Sequence, residues 1–173
     1  LGISKTLISC HDFNEAARAE ELSRIFAEGK TIALISDAGM PLISDPGHKI
    51  VQKALELNME IVVVPGPSSV LLALIGSGLS CQRFSFEGFL PDKAGERRQR
   101  LERLKGDERT MVFFMPIKDL EKVLPEMLEI MGKRRACLCR ELTKKFEEYI
   151  RGDLEDILAI SRSRDLKGES VLV

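Results

Sequence analysis

The sequence contains no long apolar run, which argues against a membrane-spanning helix. The longest such run, Val70 to Ile75, is far shorter than the roughly 20 residues needed to cross a bilayer. No charged and then apolar leader stands at the start of the chain. Hydrophobic residues make up 44% and charged residues 31% of the 173 positions, which is the balance of a soluble globular protein. We therefore expect a cytoplasmic protein with no membrane segment.

Residues that bind metals are scarce. The chain has two histidines and four cysteines, and the cysteines lack the spacing of two to four residues that zinc sites use. Cys137 and Cys139 alternate along a predicted strand, so they should face the same side. We expect buried, reduced thiols and no metal.

An excess of positive charge is also lacking, since the net charge is −1. This value argues against a surface coated with cations for nonspecific binding of nucleic acid. Local basic clusters remain, one of them Lys133 to Arg135. The other consists of Lys93, Arg97, Arg98, Arg100, Arg103 and Lys105.

The hydrophobic pattern predicts an α/β protein. Apolar runs at Thr31–Ile35 and Ile61–Val64 are each followed by a Gly/Pro-rich loop and then a helix, as in a parallel sheet covered on both faces. Ligands bind beyond the carboxyl ends of such strands. A helix is also predicted between residues 14 and 29. In the second half, the pattern predicts strands at 84–89, 111–114, 136–140 and 170–173, helices at 95–105, 118–131 and 154–160, and an extended, hairpin-like segment near residues 146–150. We predict two α/β domains, residues 1–80 and 81–173.

The two loops carry the most informative strings. One runs from Ile35 to Gly47 and includes Asp37, whose carboxylate can accept hydrogen bonds from a ligand amine or hydroxyl. The other, Pro65-Gly66-Pro67-Ser68-Ser69, ends at a helix start that favours a carboxylate or phosphate. Both are equally compatible with ordinary turns, in which Asp37 and Asp45 cap backbone groups. Neither is a Walker loop or a Gly-x-Gly-x-x-Gly fingerprint.

Together with three later strings, these loops resemble the ribosomal RNA small-subunit methyltransferase I family of the tetrapyrrole methylase superfamily. The later strings are Gly88-Phe89-Leu90-Pro91, the block from Arg140 to Glu148, and Lys167-Gly168-Glu169. The resemblance covers nearly the whole chain in order. The first strand of the family and its glycine-rich loop have no counterpart here, and Met115-Pro116 stands where the family has a more polar string.

The resemblance implies a fold of two α/β domains with S-adenosylmethionine in the cleft between them, and a homodimer. It implies methyl transfer to the ribose 2′-hydroxyl of a cytidine in the 16S RNA of the small ribosomal subunit. The cofactor contacts that it implies are Asp37, Ala38, Gly39, Met40, Ser68, Ser69, Phe114, Met115 and Glu169.

Further roles are hypotheses within this resemblance. Glu141 and Lys145 are candidates for the group that removes the hydroxyl proton, although they also fit a surface salt bridge, and water is an alternative acceptor. Lys93, Arg97 and Arg98 are candidates for RNA phosphate contacts. The alternative for these three is a solvated helix face with ion pairs to neighbouring glutamates. Phe86 and Phe89 fit either stacking on a base or a place in the core or a dimer interface.

Two other functions compete with this interpretation. One is a methyltransferase of the same fold that acts on a tetrapyrrole or a protein. The other is a non-catalytic RNA-binding module. Tight binding of S-adenosylmethionine would argue against the second.

Overall fold

The chain divides into two compact units, residues 1–68 and 69–173. The computed structural model describes residue 2 and residues 4–173. The division after Ser68 differs from the boundary after residue 80 that the sequence predicted. The reason is the helix Ser69–Ser77, whose apolar side packs on the sheet of the second unit.

The first unit is built on two packed helices, α1 (Glu15–Ala27) and α2 (His48–Glu56). Both were predicted from the sequence. Glu15 is buried, and its carboxylate accepts the backbone N–H groups of Gly47 at 2.7 Å and Lys49 at 2.9 Å. The free N–H groups at the start of α2 are therefore satisfied from α1. Asp45, the residue expected to open this helix, does not cap it.

The two strands predicted in the first unit are not observed. Thr31–Ile35 and Ile61–Val64 pair with no other segment among the described residues and carry no regular secondary structure. Ile32 and Leu34 pack against the core of the two helices, whereas Val62, Val63 and Val64 expose 71–76% of their surface. A β-prone run becomes a strand only when a neighbour completes its hydrogen bonds, which sequence pattern alone cannot supply.

The second unit contains a mixed five-stranded sheet, and all of its strands were predicted to within a few residues. In chain order they are β1 (Phe84–Phe89), β2 (Thr110–Phe114), β3 (Arg135–Arg140), β4 (Glu148–Asp153) and β5 (Ser170–Leu172). Their spatial order is β1-β2-β5-β3-β4. β1 and β2 are parallel, and the other pairs are antiparallel.

This order brings the carboxyl ends of β1, β2 and β3 to the same edge as the amino end of β5. Phe89 is in register with Phe114, and Arg140 is in register with Ser170. We call this line, from Phe89 through Phe114 and Ser170 to Arg140, the carboxyl edge. The residues that follow these strands are placed beside one another there.

Helices cover both faces of the sheet. On one face lie α4 (Ala94–Leu104), α5 (Leu120–Met131) and α6 (Leu154–Ser163), and a short 3-10 helix, Ile117–Asp119, precedes α5. The other face is covered by α3 (Ser69–Ser77). Cys137 and Cys139 are fully buried on the α3 side with their sulfur atoms 3.6 Å apart, which confirms the prediction of buried thiols.

Candidate cofactor and substrate site

The two loops singled out in the sequence contact each other in the first unit. A Cβ on Gly39 would lie 3.3 Å from the carbonyl oxygen of Pro67, and one on Gly66 would lie 3.3 Å from the Met40 sulfur. Gly39 also has a φ of +75°, a conformation that favours glycine. Small residues therefore allow the two loops to approach closely.

The first loop presents Asp37 to solvent. Its side chain is exposed and makes no hydrogen bond or ion pair within the described part of the chain. The hydroxyl of the preceding Ser36 donates to the carbonyl oxygens of Ala38 at 3.2 Å and Gly39 at 3.0 Å, which fixes the turn. Leu42, in the same loop, has a φ of 71°, an uncommon value for a residue with a side chain. The result is an accessible carboxylate on a well-defined turn.

These features suit the cofactor that the resemblance implies. An ionised carboxylate accepts hydrogen bonds from amines and ribose hydroxyls, and glycine lets a ligand approach the backbone. Ala38 and Gly39 are exposed beside Asp37, and Met40 is half-buried. Ser69 is exposed at the start of α3, where backbone N–H groups favour an anionic group.

The second unit brings three further predicted residues to the carboxyl edge. The N–H of Met115 donates to the carbonyl oxygen of Ser170 at 3.0 Å, and the Ser170 hydroxyl donates back to Met115. Phe114 and Glu169 are the neighbours of these two residues along the chain. Met115 itself is 2% exposed and packs in the core on the α4–α6 side. Met115 therefore stays a prediction, in which its backbone, and not its buried side chain, would contact the ligand.

Glu141 lies at the same edge and holds the segment before β5. Its Oε1 atom accepts the N–H of Glu169 at 2.9 Å and the Lys144 ammonium at 3.1 Å. Lys144 also binds the Glu169 carboxylate at 2.8 Å. The Glu169 N–H, followed by Lys144, lowers the pKa of Glu141 below its ordinary value. A Cβ on Gly168 would overlap the Glu141 carboxylate, so the contact depends on glycine.

Lys145, the second candidate for proton removal, has a different environment. Its ammonium lies 5.4 Å from the ring centroid of the exposed Phe146. The lysine that pairs with Glu141 is Lys144, which the sequence analysis did not single out. The signal for it was its spacing of three residues from Glu141.

The structure contradicts the phosphate role predicted for Arg97. This side chain is 2% exposed. Its Nε and Nη2 atoms donate to the two carboxylate oxygens of Glu126, both at 2.8 Å. Its Nη1 donates to the carbonyl oxygens of Pro91 at 3.0 Å and Asp92 at 2.7 Å. Arg97 is thus a buried structural residue, and a phosphate would have to displace these partners.

The other two basic candidates remain on the surface. Arg98 makes a bidentate pair with Glu129, and its side chain is 41% exposed. Lys93 is 80% exposed and binds Glu96 at 3.1 Å. Both stay predictions for contacts with RNA.

Comparison with known proteins identifies the family. The family of Tetrapyrrole (Corrin/Porphyrin) Methylases matches residues 5–158. The chain belongs to this family. Within it, the ribosomal RNA small subunit methyltransferase I of Thermotoga maritima is 38% identical over 171 residues, which cover 99% of this chain and 77% of that protein. The chain therefore belongs with the small-subunit methyltransferases I, as the sequence motifs predicted.

Two further small-subunit methyltransferases I are similar to this chain. The proteins of Halalkalibacterium halodurans and Bacillus subtilis with the same name are 42% and 39% identical, each over 99% of this chain. The chain spans 59% of the length of both.

Solved structures support the fold of this tetrapyrrole methylase. The methyltransferase CobJ matches with a TM-score of 0.66 and 20% identity, covering 91% of this chain and 70% of its own. A uroporphyrin-III C-methyl transferase from Thermus thermophilus, complexed with S-adenyl homocysteine, matches with a TM-score of 0.53 and 16% identity. That match covers 88% of this chain and 71% of the other. At these identities the likeness concerns the fold alone.

The described residues lack both a metal-binding cluster and a membrane-spanning helix. They contain no group of three or more His, Cys, Asp or Glu side chains placed to hold a metal ion. None of their helices has both the length and the apolar character to cross a bilayer.

Proposed function

We propose that this chain belongs to an S-adenosylmethionine-dependent methyltransferase that modifies the ribose 2′-hydroxyl of a cytidine in 16S ribosomal RNA. The observation that carries the proposal is the direct contact between the two Gly/Pro-rich loops. Asp37 is exposed there, next to the small residues Ala38 and Gly39. These are the loops that carry the family resemblance. The proposal includes a cytoplasmic location, where ribosomal subunits are assembled, and a homodimeric enzyme.

Each of these residues is proposed for a particular contact with the cofactor. Asp37 would accept hydrogen bonds from the cofactor, and Ala38, Gly39 and Met40 would line its approach. The family resemblance adds Phe114, the Met115 backbone and Glu169 in the second unit as further proposed contacts. When bound, S-adenosylmethionine supplies an electrophilic methyl group on sulfur. The task of the protein is to bring one hydroxyl into line with that group, which is catalysis by orientation.

The proton of the hydroxyl also needs an acceptor, and the contacts favour Glu141 over Lys145. Both bonds described for the Glu141 carboxylate go to Oε1, so Oε2 is open to a further donor. Lys145 offers an ammonium group over an aromatic ring, and an ammonium has no lone pair to receive a proton. The lowered pKa of Glu141 weakens it as a base, so its contribution to the rate should be modest.

A methyl-transfer assay tests the function. Full-length protein is incubated with labelled S-adenosylmethionine and small ribosomal subunits that lack the modification, and the RNA is then digested and mapped. Labelled 2′-O-methylcytidine is the expected product. Label on a base or on protein, or no transfer at all, would refute the proposed acceptor. Corrinoids would then be the next substrates to test.

Binding of the cofactor is tested at Asp37. Asp37→Asn should weaken S-adenosylmethionine binding about tenfold, because a charge-assisted hydrogen bond is lost. The matched control is Asp45→Asn, a second exposed aspartate of the same string, which should bind normally. Calorimetric titration of both variants separates the two outcomes. Equal affinities would remove Asp37 from the cofactor site.

A further inference from the structure

An aromatic cluster lies at the carboxyl edge. The ring centroid of Phe114 is 5.0 Å from that of Phe86 and 5.1 Å from that of Phe89. Phe86 and Phe114 are half-buried against the core on the α3 side, whereas Phe89 exposes 59% of its surface. A large apolar ring is thus held mainly in water at the edge where the ligand contacts are proposed.

A β-bulge turns Phe89 to this face. In a regular strand, residues three apart face opposite sides, so Phe86 and Phe89 would be separated. In β1, however, Phe86 pairs with Val112 and Gly88 with Phe113, which leaves Glu87 as an extra residue. The bulge returns Phe89 to the side of its register partner, Phe114. Bulges of this kind re-aim side chains and are common beside functional sites.

Arg97, the buried arginine of α4, binds the segment that follows β1. Through Nη1, Arg97 binds the carbonyl oxygens of Pro91 and Asp92, and Glu126 fixes the rest of the guanidinium. Phe89 is therefore bounded by the bulge on one side and by this anchored turn on the other. A ring presented in this way loses little conformational freedom when it binds a partner, which favours affinity.

The lysines that follow β1 and β2 favour an RNA base as the partner of Phe89. Lys93 and Lys118 follow the ends of β1 and β2, and both side chains are exposed. Lys118 has no ion-pair partner within the described chain, and Lys93 binds Glu96 at 3.1 Å. Exposed cations on the segments that follow these two strands suit a polyanion with unstacked bases better than they suit a cofactor with a positively charged sulfur.

We infer that Phe89 stacks on the unstacked base of the RNA nucleotide whose ribose receives the methyl group. This inference rests on the proposed function and adds the residue that would hold an unstacked base of a single strand. Single-stranded RNA is recognised largely by stacking of splayed bases on aromatic side chains. Phe114 packs against the Phe89 ring at an interplanar angle of 55°, and Phe89 stays 59% exposed.

The test uses three variants of the full-length protein. Phe89→Leu keeps an apolar side chain and removes the aromatic face, and Phe89→Tyr keeps the face. Phe84→Leu is the matched control, because Phe84 is a partly exposed phenylalanine at the opposite end of β1. Stacking is followed by the quenching of pyrrolocytidine placed at the target position of a short single-stranded RNA. Methyl transfer to small subunits and calorimetric binding of S-adenosylmethionine are measured in parallel.

Phe89→Leu should raise the KM for RNA about tenfold and abolish the quenching, since stacking on an aromatic residue contributes roughly 5- to 150-fold per base. Cofactor affinity should be unchanged, and Phe89→Tyr and Phe84→Leu should behave like the wild type. Weakened cofactor binding in Phe89→Leu would instead assign the ring to adenine and overturn the inference. Equal loss of quenching in Phe84→Leu would also overturn it.

Failure of the proposed function gives a different result. The wild type would then transfer no methyl group to ribosomal RNA in the parallel assay. The quenching experiment still decides on stacking, because it needs no methyl transfer. Quenching in the wild type that is lost only in Phe89→Leu supports a stacking residue, and absence of quenching in the wild type refutes it.

Discussion

Removing the guanidinium of Arg97 should strongly destabilise the second unit. In Arg97→Met, the Glu126 carboxylate loses both of its charge-assisted bonds while its side chain remains only 18% exposed. Breaking one partner of a buried pair typically costs about 3–5 kcal/mol, because an uncompensated charge stays behind. The partial exposure of Glu126 lets water reach it, so we expect a loss of about 3 kcal/mol.

The chain provides a matched control one residue away. Arg98 also makes a bidentate contact between the same two helices, from Nη1 and Nη2 to Glu129, but the side chains are 41% and 63% exposed. Exposed ion pairs contribute little, since water and salt screen them. Arg98→Met should therefore leave the stability nearly unchanged. The two pairs share their residue types and their helices. They differ in burial and in the bonds of Arg97 to the carbonyl oxygens of Pro91 and Asp92.

Urea unfolding followed by circular dichroism measures both variants. A third variant, Arg97→Met with Glu126→Leu, replaces the whole pair by apolar groups and should recover most of the lost stability. If Arg97→Met and Arg98→Met were equally stable, burial would not govern the strength of this pair. If the double variant were as unstable as Arg97→Met, the loss would come from the carbonyl oxygens of Pro91 and Asp92 instead.

Three further results are expected. The hydrogen bonds of Arg97 lower the pKa of Glu126 from 4.5, so this pair stabilises the fold fully above pH 4.5 and progressively less as the pH falls through the folded pKa. The difference in urea midpoint between the wild type and Arg97→Met should therefore narrow as the pH is lowered. Glu15→Ala should cost the first unit about 1 kcal/mol through loss of the cap on α2, whereas Glu21→Ala, on the exposed side of α1, should be neutral in thermal unfolding. Glu141→Gln keeps an oxygen for the Glu169 N–H but cannot take a proton, so the methyl-transfer rate should fall. The fall should be less than about 100-fold, because the lowered pKa of Glu141 makes it a weak base. A larger fall with unchanged binding of S-adenosylmethionine would make Glu141 a stronger base than its contacts indicate.

The second unit was predictable because its patterns are local. Alternation in β1, the charged helix after it and the apolar periods of the later helices each point to one structure. Asp153 illustrates how far such signals reach. It stands just before a predicted helix, and in the structure its carboxylate accepts the N–H groups of Glu155 and Asp156. A cap made within three residues can be seen in the sequence.

Contacts over long distances along the chain were not predictable. The cap of α2 comes from Glu15, which lies 32 residues before Gly47 in the chain. The runs Thr31–Ile35 and Ile61–Val64 read as strands because their composition is right, yet strand formation depends on a neighbour that no local window contains.

Arg97 shows why the same limit applies to function. In the sequence it is one of four arginines on a helix, and nothing local distinguishes it from Arg98 or Arg100. Its burial is determined by Glu126 on the next helix and by the turn at Pro91 and Asp92, which close around it only in the folded unit. A cluster of basic residues therefore predicts a charged helix, but not which members face a ligand. The glycine-rich loops are different. Close approach of two backbones requires small residues, and glycines are visible directly in the sequence. This is why the sequence could point to the two loops that we propose for the cofactor and misassign the arginine.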